Sequence, residues 1–278
     1  MKYDLRKVQL IELQALLEVD RICAKHNLEY YLIAGSALGA IRHKGFIPWD
    51  EDIDIGMMRD QYEQFLEIAK KELDKKYFLQ TNQTDPSFVG LYSKIRINGT
   101  TFIEKETIKL GIKLHQGIFI DIFPLDNVGD NPVVAQIQYK LIWFFNSMLS
   151  TKIGIYSKTP LKKALKKIIA KVILPLVPMN LMKRLAHKIA TSFDNKNTIR
   201  VANILGYNGL KKLAVPREFF GEPVYTDFEG LSLPVPQQCH EYLENVYGDY
   251  MSLPPEDKRG SHNVAIIDTE RSYEFYIR

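Results

Sequence analysis

Apolar and polar positions recur along this chain with two periods, and each change of period marks a change of element. From Asp4 to His26, Leu10, Leu13 and Leu17 return at three- and four-residue spacing, with Leu16, Val19, Ile22 and Cys23 widening the stripe, so an amphipathic helix is predicted. Tyr30 to Ala34 reads as a short buried strand, Gly35-Ser36 as a tight turn, and Ala37 to Lys44 as a helix capped by Ser36. Pro48 closes that helix off from a second strand, Asp52 to Met57. A helix then runs from a capping-box-like Asp60 and Glu63 to near Lys75, with Tyr62, Phe65, Leu66, Ala69 and Leu73 on its apolar face.

Three further strands are expected over Tyr77 to Gln80, Phe88 to Ile97 and Thr100 to Ile103, the last two joined by an Asn98-Gly99 hairpin turn. Gly117 to Phe123 alternates around a lone acid, Asp121, and Pro124 is expected to end that strand. From Pro132 the pattern turns helical. Val133 to Leu149 is rich in aromatic residues, and Leu161 to Ile173 sets an apolar face against Lys162, Lys163, Lys166, Lys167 and Lys171. Asn180 to Phe193 and Gln237 to Tyr247 read as later helices, and the stretch SLPPEDKRGSH as a loop. No internal repeat is visible.

Composition narrows the picture without redirecting it. With 278 residues, 46% hydrophobic and 25% charged, the chain holds enough apolar material for one large domain or one domain with an appendage. We divide it into a catalytic core over 1–130, a helical basic segment over 131–200, and a region over 201–278 that packs back on the core. The net charge of +4 is too mild to imply a nucleic-acid partner, and the positive charge gathers between Lys158 and Lys196. Cys23 and Cys239 form neither a CxxC motif nor a disulfide framework, which fits a reduced compartment. The start MKYDLRKVQL lacks the apolar core of a secretory signal, and no apolar run reaches the ~20 residues of a membrane-spanning helix, so a cytoplasmic protein is expected. The lysine-faced helix suggests docking on an anionic membrane surface, at the inner face of the cell membrane; an ordinary solvated face is the plainer alternative.

The candidate chemistry lies between Tyr30 and Asp60. Residues two apart on a strand share a face, so Asp52 and Asp54 direct two carboxylates into one space while Ile53 and Ile55 face the core. Asp121, an acid in an apolar strand, needs a cation, a proton or hydrogen bonds, and a metal held by Asp52 and Asp54 would supply the first. An EF-hand is excluded, because Ile55 and Gln61 stand where that loop needs Gly and Glu. Asp50 and Glu51 read as a solvated acidic turn. Gly35 and Ser36 offer free backbone N–H groups to a phosphate. Arg42, His43 and Lys44 lie beside the acidic strand and could bind phosphate, or simply end a helix in solvent. Lys94 is favoured over Arg96 as a substrate contact. Lys258, Arg259 and His262 sit on a loop, where binding residues concentrate.

The Gly-Ser turn, the Asp-x-Asp strand and a later strand aspartate, in this order, resemble the nucleotidyltransferase superfamily. More specifically, GSALGAIRHKGFIPWDEDIDIGMMRDQYEQF, SKIR from Ser93, HQGIFIDIFPLD from His115 and YGDYMSLPPEDKRGSH from Tyr247 resemble the LicD family, relatives of the fukutin-related proteins. The resemblance implies an α+β fold with a nucleotidyltransferase-like mixed sheet flanked by helices, plus the helical basic appendage. It implies transfer of phosphocholine, or a related phosphoryl-alcohol, from CDP-choline or another CDP-alcohol to a sugar hydroxyl of a cell-surface glycan or teichoic acid precursor, with CMP leaving. Mg²⁺, or Mn²⁺ in its place, would be held by Asp52, Asp54 and Asp121, with Asp121 also able to take the acceptor's proton; Gly35 and Ser36 would meet the donor phosphate. Two alternatives stay open: a nucleotidyltransferase that leaves an NMP on a small acceptor, and a non-catalytic membrane-bound glycan-binding module. A choline headgroup would want aromatic rings around it, and among 15 Tyr, 14 Phe and two Trp the one beside the acidic loop, Trp49, is the first candidate.

Overall fold

The computed structural model describes residues 3–155, 174–194, 196–206, 209–259 and 264–277. Helix α1 (Leu5–His26) starts where the Asp4 carboxylate accepts the Lys7 N–H at 3.3 Å and stops at Asn27, which adopts the left-handed conformation with φ 53°. Its buried face carries Val8, Ala15, Leu16, Val19 and Ile22. Leu10 and Leu17 are 44% and 41% exposed, so the leucine spacing singled out residues on the edge of the stripe rather than at its centre.

The chain then lays down β1 (Tyr31–Leu32), α2 (Ala34–His43), β2 (Asp54–Met58), α3 (Arg59–Glu72), β3 (Tyr77–Gln80), β4 (Ser93–Ile97), β5 (Thr101–Glu104), α4 (Lys105–Leu110), β6 (Phe119–Val128) and α5 (Pro132–Lys152). After it come α6 (Met179–Ala190), β7 (Arg200–Ala202), α7 (Leu210–Leu213), β8 (Ala214–Pro216), β9 (Val224–Phe228), β10 (Leu231–Val235), α8 (Cys239–Tyr247) and β11 (Val264–Asp268). The lysine-rich stretch 161–173 lies outside the described residues. Among the described residues no helix is long and apolar enough to cross a membrane.

The main sheet is mixed, in the order β1-β2-β6-β4-β3, with β7 paired to the far end of β6 and β8 to β7. β2 and β6 run parallel; the other pairs are antiparallel. One face of this sheet packs Ile53, Ile55, Met57, Ile95, Ile120 and Ile122 into a common core with α1 and α3. A second, smaller core joins β6, β7, α5 and α6 through Val128, Ala135, Ile142, Ala190 and Ala202.

Several expectations change. Helix α2 begins at Ala34, so Gly35 and Ser36 lie inside its first turn and Ser36 is not its cap. Asp52 precedes β2 rather than belonging to it. Asp60 and Glu63 form no capping box: α3 starts at Arg59 without a side-chain cap, and Glu63 instead bonds Arg59 at 3.0 Å. Residues 88–92 are not strand, and β4 and β5 do not form a hairpin. β4 pairs with β3 and β6, and β5 pairs with β11, a partner 160 residues later that local pattern could not reveal. Pro124 does not end β6, which continues to Val128. The antiparallel neighbour β4 stops opposite Ile122 and β7 begins opposite Asp126, so Pro124 falls in a gap where no ladder donor is required. β9 and β10 form an unforeseen hairpin, with Glu229 and Gly230 at φ 57° and 77° in the turn.

Candidate active site

The register of three strands assembles the site. Asp54 on β2 stands beside Asp121 on β6, and Asp121 stands opposite Lys94 on β4, so one row across the sheet carries two acids and an amine. Asp52 reaches the same point from the preceding loop. One carboxylate oxygen from each of Asp52, Asp54 and Asp121 lies within 4.8 Å of the others. Behind them Ile53 and Ile55 are fully buried, as strand alternation requires.

Two contacts place these carboxylates. The Ser36 hydroxyl accepts the backbone N–H of Asp54 at 2.8 Å, tying the start of β2 to the first turn of α2. Gly35 lines the cavity, and a Cβ there would stand 2.7 Å from Asp50 Oδ2. Glycine is therefore what lets the acidic loop approach the helix so closely. Asp50, read from sequence as solvated, faces the same cavity.

Electrostatics follow from this crowding. Burial, then the neighbouring Asp52, Asp121 and Asp50, push the Asp54 carboxyl well above the usual carboxylate range. Burial also raises Asp121, and Lys94, whose Nζ lies 2.6 Å from Asp121 Oδ1, opposes that shift. Burial lowers Lys94, with Asp121 working to keep it charged. The Lys94 ammonium also rests 3.5 Å from the centre of the Phe119 ring. Three converging oxygen donors that repel one another and are partly desolvated suit a hard divalent cation. The acidic trio could thus hold a metal.

These groups open into a cavity of about 590 Å³. Its acidic side is Asp50, Asp52, Asp54, Glu104 and Asp121; its rings are Tyr92, Phe119, Phe123, Trp143, Phe220, Tyr242 and Tyr247. The Tyr242 hydroxyl accepts the Ala34 N–H at 3.1 Å, so α8 buttresses the start of α2. Beneath the loop, Glu12 on α1 is fully buried, and neither carboxylate oxygen has a hydrogen-bond partner among the described residues. Burial first, then the four aspartates, drive its carboxyl well above the ordinary range.

The other candidates are placed differently. Trp49 does not line the cavity; the Arg259 guanidinium covers its ring at 4.7 Å and His43 meets it edge-on at 6.1 Å. Arg42 donates to the carbonyls of Tyr250 and Ser252, at 2.6 and 3.3 Å, and so holds the loop after α8. Lys44 terminates α2 in the left-handed conformation, and its carbonyl accepts the Glu229 N–H at 2.8 Å. Lys258 falls in a short turn over Glu256–Lys258, and His262 lies outside the described residues. Sequence reasoning missed Tyr92 and Phe123, although Phe123 stands two positions from Asp121 on β6 and Tyr92 two positions from Lys94, just before β4. It missed Trp143 and Glu12 because helix periodicity makes both look like core.

Against known proteins, the chain matches the family model described as LicD/FKTN/FKRP, nucleotidyltransferase domain, over residues 27–186. It is 32% identical over 269 residues, 95% of this chain and 97% of the relative, to the lipopolysaccharide cholinephosphotransferase LicD of Haemophilus influenzae. Shorter matches cover 70 residues of an uncharacterised protein of Rickettsia typhi at 33% identity, 25% of this chain and 23% of that one. A further match covers 47 residues of an uncharacterised protein of Rickettsia prowazekii at 40% identity, 17% of this chain and 18% of that one. The chain belongs to the LicD family.

Proposed function

We propose that this LicD-family chain is a transferase that moves phosphocholine, or a related phosphoryl-alcohol, from a CDP-activated donor to a sugar hydroxyl of a cell-surface glycan or teichoic acid precursor. The observation that carries the reading is the convergence of Asp52, Asp54 and Asp121 on one cavity, in a chain alignable almost end to end with a cholinephosphotransferase. A nucleotidyltransferase-like fold accords with the mixed sheet and with the family's description. Asp52, Asp54 and Asp121 would hold Mg²⁺, which when bound would offset charge on the donor phosphates.

In the transfer the acceptor oxygen bonds to the phosphorus that carries the alcohol, and the bond from that phosphorus to the CMP oxygen breaks, CMP leaving with the electron pair. The acceptor's proton goes to Asp121, whose position Lys94 fixes at 2.6 Å. Gly35, which lines the cavity at the start of α2, would meet the donor phosphate through its backbone N–H.

Incubation with CDP-choline, CDP-ethanolamine, CDP-glycerol and CDP-ribitol, Mg²⁺ and a glycan acceptor tests the reading: CMP release dependent on the acceptor is expected. Asp54→Asn should abolish turnover and keep the folded state. Transfer of a nucleotide to the acceptor would point to the nucleotidyl reaction, and full turnover in Asp54→Asn would remove the carboxylate trio from the mechanism.

The acceptor's membrane setting is part of the same proposal. Val133 and Ile137 on α5 are 67% and 51% exposed, and they accompany the lysine-rich stretch 161–173 in sequence. Co-sedimentation with anionic but not neutral vesicles is expected; equal behaviour with both would exclude charge-driven docking.

A further inference from the structure

We propose that Tyr92, Phe123 and Trp143 form the wall that receives the cationic end of the donor's alcohol, and that this wall selects a quaternary ammonium over a primary amine or a polyol. The inference rests on the transfer reaction proposed above and locates, within its cavity, the part that reads the headgroup.

The strand register separates the two ends of the cavity. Lys94 stands opposite Asp121 and Ser93 opposite Ile122, so Tyr92 comes next to Phe123, and the two rings stack with centroids 4.8 Å apart and planes 26° from parallel. Phe123 lies two positions beyond Asp121 on β6 and shares its face, so with Tyr92 stacked on it the aromatic pair forms the row next to the carboxylate row, roughly 7 Å further along β6. A two-carbon phosphoalcohol spans a comparable distance between phosphate and nitrogen. With the phosphate end of the donor at the carboxylate row, the headgroup end lies beside the stacked pair Tyr92 and Phe123. Trp143, from α5, lines the same cavity.

Charge points the same way. Among the described residues that line the cavity, Asp50 and Glu104 add negative charge to the metal-binding trio, and the one ammonium, Lys94, sits on Asp121. Such a space favours a ligand that carries a positive charge. The aromatic faces already attract a cation: the Lys94 ammonium lies 5.3 Å from the Tyr92 ring centre. A trimethylammonium group has no N–H to donate and gains from ring faces, whereas a primary amine or a polyol loses hydrogen bonds to water that rings do not replace.

The test uses the full chain with Tyr92→Leu, Trp143→Leu and, on the solvent side of the same helix, Phe144→Leu. Folding of each is checked by circular dichroism and thermal melting. Wild-type enzyme should prefer CDP-choline, and Tyr92→Leu and Trp143→Leu should raise its KM about 5- to 30-fold with a smaller change in kcat. The KM for CDP-ethanolamine should move less than about twofold in both, and Phe144→Leu should behave as wild type. A preference for CDP-ribitol or CDP-glycerol, or an unchanged choline KM in both ring variants, overturns the inference and leaves the transfer reaction standing. Binding of tetramethylammonium chloride, followed by tryptophan fluorescence, separates the two failures. If no CDP-alcohol is turned over, saturable binding that is lost in Tyr92→Leu, which keeps the Trp143 reporter, still supports the wall, and absence of binding in the wild type overturns it.

Discussion

The Ser36 hydroxyl accepts the backbone N–H of Asp54 at 2.8 Å, and this bond ties the first turn of α2 to the start of β2 and so to the carboxylate trio. Ser36 is only 6% exposed, so the bond is shielded from water. Ser36→Ala should leave a buried N–H unsatisfied and cost about 1–3 kcal/mol. Because Asp54 would lose its anchor, kcat should fall more than KM rises. Urea unfolding and steady-state kinetics on the same preparation check both, and wild-type kinetics in Ser36→Ala would show that β2 is held without it.

Arg59 and Asp126 form an ion pair at 2.7 Å, with residue exposures of 6% and 4%, at the end of the sheet remote from the carboxylate trio. Removing one partner strands a buried charge, so Arg59→Met should cost about 3–5 kcal/mol. Replacing both, Arg59→Met with Asp126→Leu, should recover most of that loss. Thermal melts of the two variants measure it, and a double variant no better than the single would mean that packing rather than charge dominates.

Glu12 yields a pH dependence. Its folded pKa is raised above the ordinary 4.5, so its burial is tolerated below that pH and costs stability as pH rises toward the folded value. Glu12→Gln should match wild type near pH 4.5 and become the more stable protein above it, by up to ~1.4 kcal/mol per pH unit, until Glu12 in the wild type ionises. Unfolding free energies at pH 5, 6, 7 and 8 test this; a constant difference across the series would show that Glu12 is already ionised in the fold.

His115 has the opposite sign. Its ring stacks on Phe78 with centroids 4.8 Å apart, its Nε2 lies 2.9 Å from Asn98 Oδ1, and burial with Arg96 nearby lowers its pKa to about 4. The unfolded chain takes up a proton near pH 6.5 and the folded chain does not until about 4, so stability present above pH 6.5 is lost as pH falls through that window. The total is about 3 kcal/mol at most. His115→Gln should be less acid-sensitive than wild type between pH 6.5 and 4 in denaturant titrations; parallel curves would rule out a role for His115.

The amino-acid sequence by itself determined what depends on neighbours close in the chain. The alternation Asp52-Ile53-Asp54-Ile55 puts acids on one side and core on the other, and the lone Asp121 in an apolar strand signals a group in need of a cation. The long helices follow from three- and four-residue spacing, though even there Leu10 and Leu17 showed that spacing finds a stripe more easily than its centre. Only the tertiary structure decided which strands meet. Whether Asn98-Gly99 makes a hairpin or hands the chain to a strand that pairs with β11, and whether Pro124 stops β6 or rests in a gap between its neighbours, depends on pairings between residues far apart in sequence. The same holds for the cavity: Tyr92, Phe123 and Trp143 each look like ordinary core until strand register and the placement of α5 bring them together beside the carboxylates. A side chain's environment is a sum over contacts, and at this site most of those contacts come from distant parts of the chain.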